Sequence, residues 1–389
     1  MPKNKFKNPI KALSLFANVG LAETYLNDVG VNVVVANELL EERAKFYSHL
    51  YPNVKMIVGD ITKESVFEEV IKTSQNNGVE FVIATPPCQG MSCAGKKDPY
   101  DPRNFLIYYA IESVKRLKPK FVLFENVPMQ QHTQINLNGK YMFIPEYVEL
   151  ELGNEYIFNA SRIVNAKDYG VPQSRQRYIY LLVRKDLNVK WEFPEKEKDI
   201  ITLKQAIGDL PSLDPLLREE EERYRFPDFE KKRIEGLKVS KWHYPPTHSW
   251  KQVEWMIHTP SGKSAFQNNV FYPMTKGRRI KGAPRTYMRM DWNKPATTVL
   301  QNNGVISTFS TVHPGRLVYD NVEESGRIYS DARVLTIYEL LIVSSLPLDW
   351  DIPEWANETL IRSVIGEGIP PLLIRKIVEN LVRSGEYDR

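Results

Sequence analysis

The chain has 389 residues, which exceeds the usual size of one hydrophobic core, so we expect a large domain and a smaller one. Apolar residues make up 42% of the chain and charged residues 26%, and no apolar run reaches the roughly 20 residues that span a bilayer. The net charge of +4 mildly favours an anionic partner. We expect neither a signal peptide nor, with only two cysteines, a disulfide framework, and we predict a cytoplasmic protein.

The first half of the chain alternates short apolar runs with longer amphipathic stretches, which predicts a mostly parallel sheet covered by helices. The apolar runs are rich in β-branched and aromatic residues, as is typical of strands buried on both faces. The predicted strands are Ala12–Phe16, Val31–Ala36, Lys55–Val58, Phe81–Thr85, Phe121–Phe124 and Tyr178–Val183. The predicted helices between them include Glu38–Leu50, Lys63–Thr73 and Asn104–Leu117. The fold class is therefore α/β.

The pattern changes after about residue 186, where charged and irregular stretches replace the alternation. A basic segment follows, with seven lysines and arginines within nineteen residues: Lys276, Arg278, Arg279, Lys281, Arg285, Arg289 and Lys294. The helical period returns in Val334–Leu346 and Pro370–Val382. We therefore predict a first domain over residues 1–189 and a smaller domain over 190–331. C-terminal helices over 332–389 are expected to return to the first domain.

The sharpest chemical signal is Ala-Thr-Pro-Pro-Cys-Gln-Gly over residues 84–90, at the end of an apolar strand. A cysteine thiolate is a strong nucleophile, and ligands bind at the carboxyl ends of strands in such sheets. Free cysteines are more often packing residues. The two prolines before Cys88 pre-set a loop, however, which favours a functional role for this cysteine.

The next predicted strand ends in Phe124-Glu125-Asn126-Val127. Adjacent parallel strands would bring Glu125 close to Cys88, and burial could raise its pKa so that the carboxyl donates a proton. The alternative is a strand-end glutamate that caps a helix or pairs with a surface lysine, which is the commoner case for a single glutamate.

Further motifs follow in a fixed order, and together they identify a family. They are Phe16-x-x-x-Gly20, Glu38, Gly59-Asp60-Ile61, Pro87-Cys88-Gln89, Glu125-Asn126-Val127, Tyr169-Gly170-Val171-Pro172-Gln173-x-Arg175-x-Arg177, Lys294-Pro295-Ala296-x-Thr298, His313-Pro314, Arg333-x-Leu335-Thr336-x-x-Glu339 and Gly366-x-x-Ile369-Pro370-Pro371. With this set, the chain resembles the cytosine-5 DNA methyltransferases over nearly everything outside its middle third.

The resemblance implies a Rossmann-like methyltransferase fold and methyl transfer from S-adenosylmethionine to carbon 5 of cytosine. Cys88 would attack C6 of the base, while Glu125 would bind its N3 and N4 edge. Arg177 would contact the cytosine O2, Arg175 would hold the active-site geometry, and Gln173 would position that segment.

The resemblance also assigns the methyl donor's contacts. Phe16 would lie against the adenine, Glu38 would bind the ribose hydroxyls and Asp60 would accept from the adenine amino group. The expected donor set is completed by Asn18, Gly20 and Pro87. Three residues depart from the family pattern: Asn18 and Leu21 replace usual glycines, and Glu367 replaces a usual asparagine.

The expected partner is double-stranded DNA, from which the target cytosine must be flipped out. The stretch Gln89–Arg103 resembles the loop that closes over the base, and we expect Gln89 and Ser92 to contact DNA. The smaller domain is the expected target-recognition domain, with DNA contacts from Arg278, Arg279, Arg285 and Arg289. We expect a monomer and no metal. A cognate restriction endonuclease encoded nearby is a candidate partner.

Two alternatives remain. A tRNA cytosine-5 methyltransferase has a similar catalytic domain, but such enzymes carry a Cys-Phe-Thr element, and this chain has no cysteine after Cys93. A catalytically silent DNA-binding relative is suggested by the departures at Asn18, Leu21 and Glu367. The presence of the nucleophile, acid and arginine motifs favours an enzyme.

Overall fold

The structure is a computed structural model that describes residues 6, 8–87, 102–137, 139–321 and 326–384. Its strands are β1 (Ile10–Leu15), β2 (Val31–Glu38), β3 (Lys55–Val58), β4 (Phe81–Ala84), β5 (Phe121–Asn126), β6 (Gln134–Leu137), β7 (Lys140–Phe143), β8 (Tyr156–Asn165), β9 (Gln176–Arg184), β10 (Leu216–Leu217), β11 (Thr247–His248), β12 (Met274–Thr275), β13 (Arg278–Arg279), β14 (Leu317–Asn321) and β15 (Gly326–Tyr329). Its α-helices are α1 (Glu41–Leu50), α2 (Glu64–Asn77), α3 (Leu106–Leu117), α4 (Ile144–Leu152), α5 (Leu203–Ile207), α6 (Phe229–Val239), α7 (Trp250–Ile257), α8 (Ile337–Val343), α9 (Glu358–Glu367) and α10 (Pro371–Ser384). Short 3-10 helices cover Asn27–Val29, Pro102–Phe105, Pro128–His132, Ala166–Tyr169, Glu220–Arg225 and Ala265–Gln267.

A seven-stranded sheet organises the first half of the chain, with the strand order β3-β2-β1-β4-β5-β9-β8. The strands β1 to β5 are parallel to one another, and β9 runs antiparallel to both β5 and β8. This arrangement confirms the predicted α/β fold with a mostly parallel sheet. The six predicted strands are present, with ends that differ by at most two residues.

The edge strand β8 and helices α4 and α9 were not predicted. β8 mixes buried and exposed side chains without regular alternation, so it lacks the continuous apolar character by which the inner strands were identified. Helix α1 begins at Glu41, three residues later than expected, because Glu38 still belongs to β2.

Helices cover both faces of the sheet, which explains the apolar character of its inner strands. On one face, Leu373 and Ile377 of α10 join the buried cluster that includes Leu123 of β5. On the other face, Ile111 of α3 and Val148 of α4 pack into the cluster around the opposite side chains of the same strands. Both faces are therefore sealed, and the polar groups of the inner strands lie at the strand ends.

The later part of the chain forms two further apolar clusters. One contains Val253 and Met256 of α7 with Ile306, and the other contains Leu341 of α8 with Ile361 of α9. The packing of α10 on the sheet fits the expected return of the C-terminal helices, while the boundaries after residues 189 and 331 stay a prediction. Among the helices of the described ranges, none is long and apolar enough to cross a membrane.

Candidate active site

A buried ion pair lies at the carboxyl end of β5. The Nε atom of Arg177 on β9 is 2.6 Å from Oε1 of Glu125, and both residues are 8% exposed. The pairing of β5 with β9 places Glu125 opposite Ile179, so the two charged side chains share one end of the sheet. Two sequence-predicted site residues are therefore in direct contact.

Burial and the neighbouring charges act on the pKa of Glu125 in opposite directions. Burial raises the pKa of this carboxyl above its ordinary value, and the guanidinium groups of Arg177 and Arg175 oppose that shift. A buried carboxyl with these neighbours can accept hydrogen bonds as a carboxylate or donate one when it is protonated. Such a group is suited to contact a nucleobase edge that offers both a hydrogen-bond donor and a hydrogen-bond acceptor.

Pro86, two positions before Cys88 in the sequence, is hydrogen-bonded to the strand that carries Glu125. The Asn126 side chain donates a hydrogen bond from Nδ2 to the carbonyl oxygen of Pro86 over 3.0 Å, and β4 pairs in parallel with β5 as expected. Pro87 is partly buried. Cys88 itself, with Gln89 and Ser92, lies outside the described residues.

The predicted arginine segment is held by buried hydrogen bonds to the C-terminal part of the chain. Arg175 is 2% exposed and donates to the carbonyl oxygens of Val299, Gly366 and Glu367. Gln173 donates to the carbonyl oxygen of Val343. These contacts hold the backbone that presents Arg177, and the roles expected for Arg175 and Gln173 in the reaction stay predictions.

The same segment is joined to the Lys294-Pro295-Ala296-x-Thr298 motif. The backbone N–H of Ser174 donates to the carbonyl oxygen of Ala296, and the Thr298 hydroxyl donates to the carbonyl oxygen of Ser174. That motif thus supports the arginine segment from outside the sheet.

The ends of β1 and β2 form a cradle around Glu38. Its Oε2 accepts a hydrogen bond from the backbone N–H of Asn18 over 2.9 Å, and its Oε1 accepts from that of Leu40 over 3.0 Å. Phe16, Asn18 and Gly20 all have positive φ angles. At Gly20 an added Cβ would lie 2.3 Å from the Tyr51 ring, so no larger residue fits there.

Two of the departures from the family pattern have a structural explanation. Asn18 has a φ of 51°, a left-handed conformation that asparagine tolerates better than most residues. Leu21 is not among the residues with positive φ, so its backbone does not require glycine. Its side chain is 3% exposed and fills the space above Gly368, where an added Cβ would lie 2.5 Å from it.

The cradle fits a methyl donor that carries ribose, adenine and charged groups. Oδ1 of Asn18 is buried and has no hydrogen-bond partner within the described residues. Each Glu38 oxygen accepts one hydrogen bond and has a lone pair left for a hydroxyl. Asp60 follows β3 at the same end of the sheet and accepts hydrogen bonds from the backbone and hydroxyl of Thr62.

The basic segment is exposed where it was expected to meet DNA, with one exception. Arg278 and Arg279 on β13, and Arg285 after it, are exposed and form no ion pair with a described acidic residue. The expectation for Arg289 is wrong, because this residue is fully buried. Its guanidinium donates to the carbonyl oxygens of Met256, His313, Ser330 and Asp331, which leaves no group for DNA.

Two contacts at the site were not predicted. The hydrogen bond from Asn126 to Pro86 had a signal in the Glu-Asn-Val motif, but its partner depends on the strand order. The ion pair of Arg43 with Glu367 joins residues 324 positions apart in the sequence, and nothing local indicates it.

Comparisons with known proteins identify the family of the chain. The family profile described as C-5 cytosine-specific DNA methylase matches residues 10–383. The type II methyltransferase M1.HgaI of Avibacterium volantium is 42% identical over 381 residues, covering 96% of this chain and 99% of its own length. M1.HphI of Haemophilus parahaemolyticus, also a type II methyltransferase, is 26% identical, covering 95% of this chain and 86% of its own length.

Solved structures show the same fold. A protein described as a DNA modification methyltransferase encoded within a prophage (E. coli) superposes with a TM-score of 0.66 at 20% identity, covering 96% of this chain and 99% of its own. The Entamoeba histolytica methyltransferase EhMeth gives a TM-score of 0.58 at 15% identity, covering 96% and 98%. Since the family profile and the M1.HgaI alignment both extend over nearly the whole chain, the protein belongs to the C-5 cytosine-specific DNA methylases.

Proposed function

We propose that this S-adenosylmethionine-dependent DNA (cytosine-5)-methyltransferase acts through a covalent bond between Cys88 and C6 of a cytosine flipped out of duplex DNA. The observation that carries the proposal is the buried Glu125–Arg177 pair. Its glutamate lies on β5, and Asn126 at the end of that strand is hydrogen-bonded to Pro86, two positions before Cys88 in the sequence. A duplex base does not expose C6 to a thiolate, so the attack requires the base outside the stack.

The residues divide the reaction between them. The Cys88 thiolate adds to C6 and forms the S–C6 bond, while the ring electrons move toward C5 and N3. Glu125 protonates or hydrogen-bonds N3, and Arg177 stabilises the charge that develops on O2. The electron-rich C5 would then take the methyl group from the sulfonium of the donor, whose S–CH3 bond breaks to leave S-adenosylhomocysteine. A base removes the C5 proton, the S–C6 bond breaks and Cys88 leaves as the thiolate. Arg175 keeps the arginine segment in position throughout.

The cradle residues hold the donor next to this site. Glu38 accepts from the ribose hydroxyls, Phe16 packs against the adenine and Asp60 accepts from its amino group. Asn18, Gly20 and Pro87 line the rest of the pocket. The chemistry that bound S-adenosylmethionine supplies is an electrophilic methyl carbon on a sulfonium. The buried, partnerless Oδ1 of Asn18 and the free lone pairs of Glu38 support this assignment.

DNA contacts come from the smaller domain and from the Cys88 loop. Arg278, Arg279 and Arg285 bind phosphates, since they are exposed and free of acidic partners within the described chain. In the loop, Gln89 and Ser92 contact the DNA around the flipped base. The enzyme works as a monomer on double-stranded DNA. A cognate restriction endonuclease is encoded nearby, which the type II names of the relatives support.

The two alternatives are less well supported. M1.HgaI and M1.HphI are named as type II methyltransferases, and the matching family profile is that of DNA methylases, which favours DNA over tRNA as substrate. A silent relative has no chemical need for a buried Glu125–Arg177 pair at this position, and burying charged groups has a free-energy cost.

Mixed-sequence duplex DNA that contains 5-fluorocytosine tests the covalent step, because fluorine at C5 cannot leave as a proton does. Incubation with enzyme and S-adenosylmethionine should give an adduct that survives a denaturing gel. Cys93→Ala, a change in the same loop, should still be trapped, while Cys88→Ala should not. An adduct that persists in Cys88→Ala, or no adduct on DNA that the enzyme methylates, would contradict the mechanism.

A further inference from the structure

An ion pair closes the donor cradle on the side of the C-terminal helices. Nη1 of Arg43 on α1 lies 2.6 Å from Oε2 of Glu367, and Nη2 lies 2.9 Å from Oε1. The two side chains are 14% and 25% exposed, so water screens this pair less than it screens most surface pairs. The contact is bidentate, the geometry in which an arginine and a carboxylate bind most specifically.

Further hydrogen bonds hold the last turn of α9. The Asn18 side chain donates from Nδ2 to the carbonyl oxygen of Val364, while the Asn18 backbone N–H donates to Glu38. From the opposite side, Arg175 donates to the carbonyl oxygens of Gly366 and Glu367. The end of α9 is thus held both by the donor cradle and by the arginine segment of the active site.

The charges of Arg43 and Glu367 both act on the nearby carboxyl of Glu38. Burial raises the pKa of Glu38, and the charge of Glu367 adds to that increase, while Arg43 opposes it. Glu38 and Glu367 therefore lie close to one guanidinium. Without Arg43, Glu367 would be an unpaired acid beside the residue that is expected to bind ribose. The glutamate at 367 is consequently tolerated because Arg43 accompanies it.

We infer that the Arg43–Glu367 ion pair is a latch that sets donor affinity by holding the end of α9 against the cradle. This inference rests on the proposed donor site at Glu38. Both residues are positioning residues, since the terminal guanidinium nitrogens of Arg43 and the carboxylate oxygens of Glu367 are paired with each other. The latch explains how the chain functions with Glu367 where the family usually has asparagine.

Calorimetric titration of the full chain with S-adenosylhomocysteine tests the latch without catalysis. Arg43→Met leaves Glu38 and Glu367 without their cation and should weaken binding about tenfold, and Glu367→Gln should weaken it about threefold. The double variant should bind better than Arg43→Met alone, because the two changes together remove the repulsion. In turnover, the KM for the donor should rise by a larger factor than kcat falls.

Arg116→Met is the matched control, since Arg116 forms a bidentate ion pair with Glu68 between α3 and α2, away from the cradle. It should bind S-adenosylhomocysteine like the wild type. Additive losses in the double variant would mean that each residue contacts the donor directly and would overturn the latch, as would unchanged binding in both single variants. Glu38→Ala separates the hypotheses: if it binds normally, the proposed donor site itself is wrong.

Discussion

The strand-end site and the basic segment both depend on arginine, but they use it in opposite environments. At the strand ends, Arg175 and Arg177 are buried and held by carbonyl oxygens and by Glu125. In the basic segment, Arg278 and Arg285 are exposed and have no acidic partner in the described chain. Buried guanidinium groups are fixed before substrate arrives, which suits catalysis, whereas exposed ones can follow a phosphate backbone. Arg289 lies in the basic segment by sequence but belongs with the buried group by structure.

The largest expected effect concerns the buried carboxyl of the strand-end site. Glu125→Gln keeps the shape of the side chain but cannot protonate N3, so kcat should fall about a thousandfold. Titration with S-adenosylhomocysteine should remain close to wild type, which separates the chemical step from donor binding. The melting temperature should fall, because Arg177 loses its buried carboxylate partner. A variant with near wild-type kcat would show that Glu125 has no role in the chemistry.

Substitutions of Arg289 and Arg285 test whether the buried and the exposed arginines of the basic segment have different roles. Arg289→Met leaves four buried carbonyl oxygens without their donor, so the free energy of unfolding should fall by about 3 kcal/mol. Arg285→Met, four residues earlier and exposed, should change it by less than about 0.5 kcal/mol. Urea denaturation of the two variants measures the two free energies of unfolding. Equal decreases would contradict the difference between the buried and the exposed arginine.

Glu23 is a buried acid, so its protonation tests the effect of burial on a charged group without an ion-pair partner. Burial raises its pKa to about 7, and neither carboxylate oxygen has a hydrogen-bond partner within the described residues. Between pH 4.5 and 7 the unfolded chain releases this proton while the folded protein keeps it, so the free energy of unfolding falls as the pH rises. Glu23→Gln removes that loss and should be more stable than wild type above pH 7 by about 3 kcal/mol. Urea denaturation at pH 5 and pH 8 checks this, and an equal difference at both pH values would contradict it.

The smallest expected effect concerns a single exposed arginine. Arg285→Gln should weaken DNA binding several-fold. The slope of log Kd against log salt concentration should fall by the amount expected for the loss of one phosphate contact. Lys72→Gln, an exposed lysine on α2, is the control and should leave both quantities unchanged. An unchanged salt slope in Arg285→Gln would place the DNA elsewhere on the protein.

Continuous apolar strands and the residues that follow them could be predicted from the sequence. The mostly parallel sheet confirms that prediction. The roles expected for Arg175 and Gln173 stay predictions, which their buried hydrogen bonds support. Strand β8 was not predicted, because an edge strand need not be apolar. Arg289 was misassigned because a count of basic residues does not show which side chain points inward. The Arg43–Glu367 pair depends on tertiary packing between distant segments, which no local pattern records.

Transfer of labelled methyl from S-adenosylmethionine, followed by nucleoside analysis of the product, tests the central claim most directly. Mixed duplex DNA and bulk tRNA are offered to wild type and to Cys88→Ala. We predict label in DNA as 5-methylcytosine, none in tRNA, and loss of the DNA signal in the variant. Label in tRNA alone, or unchanged methylation of DNA by Cys88→Ala, would contradict the account.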